Sequence, residues 1–140
     1  MEAAVNADQA RQFLGDNHRS VLATYRRDQT VQMSPVVAGV DQAGRVVISS
    51  REQAAKTLNL RRDPRAALVA FTDSFYGPWA MVWGEAEVVS LPQALPLLED
   101  YYRRILGDHP DWDEYRQAMR DEHRVLLRIA ITQAGPVRVG

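Results

Sequence analysis

The chain has 140 residues, 46% of them hydrophobic and 25% charged, which suits one compact globular domain over 1–140 with a core of its own. Eighteen acidic against seventeen basic residues leave a net charge of −1, so no global positive field favours nucleic acid or an anionic membrane, and any anion site must be local. Cysteine is absent, which excludes disulfides, thiolate nucleophiles and cysteine-bound metal, and His18, His109 and His123 show no paired metal-ligand spacing.

The amino terminus begins acidic, without a basic and then apolar leader pattern, and the longest apolar run, Ala66 to Phe71, is too short to span a bilayer. The expected location is the cytoplasm. In "NADQARQFLG", Asn6 stands at an N-cap with Gln9 three residues on, followed by apolar Ala10, Phe13 and Leu14 and by Gly15 as a stop. That pattern predicts a short amphipathic helix. "SVLATY" and "TVQMSPVVAGV" are β-rich runs around the turn "RRDQ" and read as a hairpin; Pro35 marks an edge, a bulge or an irregular backbone in the second. After the turn "DQAG", "RVVIS" makes a third strand. Ser50 with Gln53 forms an S-x-x-Q capping box, which predicts a helix from Arg51, ended at Asp63 by the proline that follows.

"RAALVAF" reads as a buried strand and "TDSFYGP" as a loop. "WAMVWGEAEVVS" alternates Ala80, Val82, Gly84, Ala86 and Val88 on one face, small residues that imply close packing. Apolar spacing predicts amphipathic helices over 91–106 and over 111–122, the second carrying Trp112, Tyr115 and Met119. "HRVLLRIAIT" closes the chain's pattern as a strand with Val125, Leu127, Ile129 and Ile131 inward. Six strands in mostly antiparallel order with short helices between them favour a small, mainly β barrel with helical decoration.

A helix that starts directly after a strand aims unpaired N–H groups and the positive end of its dipole above the strand's carboxyl end. Ser49 and Ser50 add hydroxyls there, Arg51 adds a guanidinium, and Lys56 with Thr57 follows one to two turns in. Lys56 is the sole lysine among seventeen basic residues; a compact ammonium approaches a phosphate as a point charge where a planar guanidinium does not fit. At this level the stretch is either an anion site or a solvated basic helix face. "MSPVV" is likewise an ordinary edge strand or the floor of a ring site, and Trp79 and Trp83 serve core packing or a ligand. No Ser/His/Asp or Cys/His set appears, Glu85 and Glu87 read as solvated or ion-paired, and no catalytic acid is assigned.

Taken together, "AAKTLNLRRDPRAALV", "HPDWDEYRQAM", "HRVLLRIAIT", "SVLAT" and "VQMSPV" resemble the pyridoxamine 5'-phosphate oxidase-like split-barrel superfamily. The similarity is closest to its actinobacterial branch of F420-dependent flavin/deazaflavin oxidoreductases, and it runs in unbroken order from about Ala10 to Ile131. The resemblance implies a six-stranded antiparallel split β-barrel with short peripheral helices, assembled as a homodimer with cofactor sites at the interface. It implies that Ser49, Ser50, Arg51, Lys56 and Thr57 bind the cofactor phosphate, and that Met33, Ser34, Pro35 and Val36 lay their backbone along the ring. Trp79, or alternatively Tyr76, would be the aromatic that reaches the partner's site. Ala54 stands where close relatives often carry arginine, leaving that contact to Arg51; Pro35 leaves ring contacts to the backbone and to Ser34. The implied activity is hydride transfer from reduced coenzyme F420 to a conjugated or quinone-like small acceptor. Alternatives are an FMN-binding oxidase or reductase of the same fold, or a non-catalytic flavin or deazaflavin carrier. F420's longer acidic tail would need a basic exit, for which Arg61, Arg62 or Arg26 are candidates.

Overall fold

A computed structural model of the chain describes residues 6–135 and the backbone of 138 and 139. Capped by the reciprocal Asn6–Gln9 box, α1 (Ala7–Asp16) runs one residue past Gly15 and ends at Asn17, whose side-chain amide donates to the Phe13 carbonyl at 3.0 Å. The strands β1 (Arg19–Tyr25), β2 (Val31–Val40), β3 (Val46–Arg51), β4 (Arg65–Phe71), β5 (Pro78–Val89) and β6 (Arg124–Ala134) follow, with α2 (Ala55–Arg62) between β3 and β4. Between β5 and β6 lie α3 (Ala94–Leu106) and α4 (Trp112–Asp121); the two-residue β7 (Arg138–Val139) pairs with the start of β5.

All pairings are antiparallel, in the order β4-β1-β2-β3-β6-β5, and β4 also pairs with β5, which closes six strands into a barrel. Alternation decides which side chains fill it. Leu22, Leu68, Ala70, Val82, Val125, Leu127 and Ile129 point inward and are buried, and α1 plugs one end with Ala10 and Leu14. Gly84 lies where β5 shifts register against β6; a side chain there would run into the carbonyl of Ala130 and the Ile129 side chain.

A second cluster forms outside the barrel, where Val47 of β3 and Leu126 of β6 meet Leu98 of α3 with Tyr115 and Met119 of α4. Tyr115 donates its hydroxyl to the Leu98 carbonyl at 2.9 Å, and Tyr102, Trp112 and Tyr115 pack edge to face with His109 tilted against them. The helical insert is thereby a rigid cover over β3 and β6.

The helix expected from Arg51 begins four residues later. β3 continues to Arg51 because it pairs with Arg124 of β6, and the Glu52 N–H extends this by donating to the His123 carbonyl. The Ser50 side chain is consequently buried in the ladder and cannot cap. Ala54 holds the cap position with no side-chain hydrogen bond. The end at Asp63 before Pro64 is as expected. No helix among the described residues is long and apolar enough to cross a membrane.

Candidate functional site

β2 and β3 part company partway along their length. Their ladder stops at Ala38 opposite Ile48, while β2 stays on β1 as far as Val31 and β3 stays on β6 as far as Arg51. Residues 31–37 of β2 therefore carry one unpaired backbone edge. The Ala38 N–H donates to the His18 carbonyl and the Ala38 carbonyl accepts from His18 Nδ1, both at 2.8 Å. Strand alternation then turns the main-chain groups of Val37, Pro35 and Met33 to the open side. Pro35 has no N–H to leave unsatisfied there, which is why this strand accepts a proline.

A cleft of about 550 Å³ occupies the gap. Pro35, Val36 and Val37 form one wall, Ser49, Lys56 and Arg124 the other, and Tyr101, Tyr102, Tyr115 and Met119 of the insert close it over. Lys56 is half-buried; burial first, then the charges of Arg124 and Arg51, hold its ammonium below the ordinary lysine value of 10.5. Both arginines already share Glu122, at 2.7 and 3.2 Å. Among the described residues Lys56 has no acidic partner. Three cations against one carboxylate leave this corner positive.

The structure thus brings Pro35, Val36, Ser49 and Lys56 into one cleft, with Arg51 at its margin. Ser50 and Thr57 stand apart: 2% and 0% exposed, they bond hydroxyl to hydroxyl at 2.8 Å and tie α2 to β3. On the opposite side of α2, buried Asn59 donates to the Thr24 hydroxyl at 3.1 Å and ties the helix to β1. These contacts fix where Lys56 sits. Met33 is 67% exposed on the outer face of β2, and Ser34 beside it is half-buried; neither lines the cleft. Trp79, the second residue of β5, pairs with Phe71, and Tyr76 is 70% exposed in the preceding loop; neither lines the cleft. Sequence reasoning missed Tyr101, Tyr102, Tyr115, Met119 and Arg124. The available signal was the apolar stripe of the two helices, which reads as core because the same faces do build the second cluster.

Six antiparallel strands closed into a barrel, split between β2 and β3 and covered at the split by an inserted helix pair, define a split barrel with a cleft at its seam. The chain belongs to the pyridoxamine 5'-phosphate oxidase family, whose model matches residues 7–138. Among solved structures it is similar to the conserved hypothetical protein Rv2991 from Mycobacterium tuberculosis, with 23% identity and a TM-score of 0.73 over 91% of this chain and 81% of that one. It is also similar to an F420 reductase, with 20% identity and a TM-score of 0.67 over 89% and 94% of the two chains. A third is a putative pyridoxamine 5'-phosphate oxidase from Listeria innocua, with 15% identity and a TM-score of 0.67 over 93% and 96%. At these identities the likeness is one of fold.

Proposed function

We propose that the cleft binds the phosphate of coenzyme F420 at Lys56 and that the protein is a deazaflavin-dependent reductase of conjugated or quinone-like organic acceptors. The observation that carries this is a half-buried lysine beside Arg124 and Arg51, which already share Glu122, with no acidic partner of its own among the described residues. Such an arrangement is stabilised by a bound anion. Ser49 adds a hydroxyl, and the uncapped first turn of α2 adds backbone donors and the positive end of the helix. Along β2, the open main-chain groups of Met33 and Pro35 would meet the polar edge of a ring system, and Val36 with Met119 offers it apolar contact. The reduced deazaflavin, when bound, supplies the hydride. The chain's own part is to hold ring and acceptor face to face and to exclude water, which the tyrosine-lined underside of the insert favours.

The oxidoreductase reading draws support from family membership and from an F420 reductase among the structural neighbours. One observation favours FMN as the second reading. The arginines suited to an acidic tail are already engaged: Arg61 with Glu52 and Ser90, Arg62 with Asn59 and the Tyr25 carbonyl, Arg26 with Gln32 and Thr30. FMN, which ends at its phosphate, needs no such exit.

The protein would act as a homodimer. On the outer face of β2, β1, β4 and β5, the register aligns Pro35, Val21, Val69 and Met81 in one row, and the next row runs from Met33 to Trp83. A continuous apolar sheet face of this kind is suited to a second copy. Trp79 and Tyr76, outside the lining of their own chain's cleft, would then be available to the partner's.

Titration of the purified protein with F420 and with FMN, followed by ring fluorescence, tests the reading. Saturable binding is expected, weakened by about 1.5–3 kcal/mol, roughly tenfold or more, in Lys56→Ala. Turnover of a quinone with reduced F420 separates a reductase from a carrier that binds tightly without reacting.

A further inference from the structure

The ladder between β2 and β3 stops where neither strand requires it to. Beyond Ala38 and Ile48 the next pair would be Val37 with Ser49, and neither is a proline. The main-chain groups of Val37 already face that way. Between the two stands the hydroxyl of Tyr101, on α3. It donates to the Val37 carbonyl at 2.6 Å, and strand alternation turns the main-chain groups of Ser49, like those of Val47 opposite Gly39, toward β2. The Val37 carbonyl that the next ladder bond would use is thus taken by a side chain, and a phenol that donates once can still accept from a facing N–H. One pair further, Pro35 would face Arg51, and a proline cannot donate there.

We propose that Tyr101 is the positioning residue that sets the width of the cleft, a hydroxyl wedge that replaces the Val37–Ser49 ladder bond, with Pro35 as the second stop beyond it. An oxygen standing where a direct bond of about 2.9 Å would join the strands keeps the pair apart by roughly one further hydrogen-bond length, about 2.5–3 Å. That spread opens the floor between Pro35 and Lys56. The wedge is held from behind, because α3 is anchored through buried Leu98, whose carbonyl accepts the Tyr115 hydroxyl. Tyr101 thereby couples the insert to the seam of the barrel. Its effect on the strands stands without the cofactor reading; its effect on affinity rests on that reading.

Amide exchange and trans-hydrogen-bond couplings, measured by NMR on the ligand-free protein, test the wedge through Tyr101→Phe. Without the hydroxyl, Ser49 N–H should pair with the Val37 carbonyl directly, giving a measurable coupling between them and slower exchange of the Ser49 amide. FMN affinity should fall about tenfold or more as the floor narrows. Pro35→Ala, which restores an N–H but keeps the wedge, should leave the Ser49 amide as in the wild type. Lys56→Ala should weaken FMN without changing Ser49 exchange. An unaltered Ser49 amide in Tyr101→Phe overturns the proposal whatever FMN does. Zipping of Val37 onto Ser49 in Pro35→Ala also overturns it. Should Tyr101→Phe zip the strands while the wild type binds neither FMN nor F420, the wedge stands and the cofactor reading falls.

Discussion

Ser50 and Thr57 spend their hydroxyls on each other in a fully buried contact, so each is the other's sole compensation for leaving water. Thr57→Val should cost about 1–3 kcal/mol in urea unfolding, because it strands the Ser50 hydroxyl, whereas the double variant with Ser50→Ala should cost less than the sum of the singles. Lys56 makes a pH prediction. Its folded-state value is lowered, and only the ammonium form attracts phosphate, so affinity is present at neutral pH and is lost as pH rises through that lowered value. A pH titration of FMN binding should therefore fall off below the ordinary lysine value of 10.5, and Lys56→Arg should bind more weakly at neutral pH but without that fall-off. Of the site, the residues legible in sequence were those on one local stretch, Ser49 and Lys56, and the strand marked by Pro35. Ser50 and Thr57 belong to the same stretch, yet which of its hydroxyls face inward depends on how far β3 runs, and that is fixed by β6. Tyr101 and Arg124 come from distant segments, and no spacing in the chain links them to Lys56.

At the level of elements, the ladder overrides local capping: Ser50 and Gln53 carry a capping signal, but pairing of Arg51 with Arg124 keeps the chain extended. The helix that results is short and uncapped, which leaves its first-turn donors available. The small residues read on one face of β5 do mark close packing, and Gly84 is the tightest of them. Gly84→Ala should destabilise the fold by about 1–3 kcal/mol or more, since its neighbour is backbone carbonyl and cannot yield as a flexible side chain would. Denaturant midpoints at constant m-value would show it, and amide exchange should rise along β5 and β6 first.

For the whole molecule, alternation made a small antiparallel barrel legible, because inward positions repeat every second residue in β1, β4, β5 and β6. The split came from the family resemblance and not from alternation, since it depends on where two strands stop pairing, a non-local property. The outer face built by Met33, Pro35, Val21 and Trp83 predicts self-association: sedimentation equilibrium should give twice the 15.8 kDa chain mass, and Met33→Asp should return the monomer by burying a charge in the contact. The proposed reading makes the seam cleft a phosphate site centred on Lys56. Its most direct test compares FMN with riboflavin, which lacks only the phosphate, on the wild type and on Lys56→Ala. The wild type should prefer FMN by roughly tenfold or more, and the variant should lose most of that preference while binding riboflavin as before. Equal affinity of the wild type for the two ligands, or a preference that survives in Lys56→Ala, would contradict it.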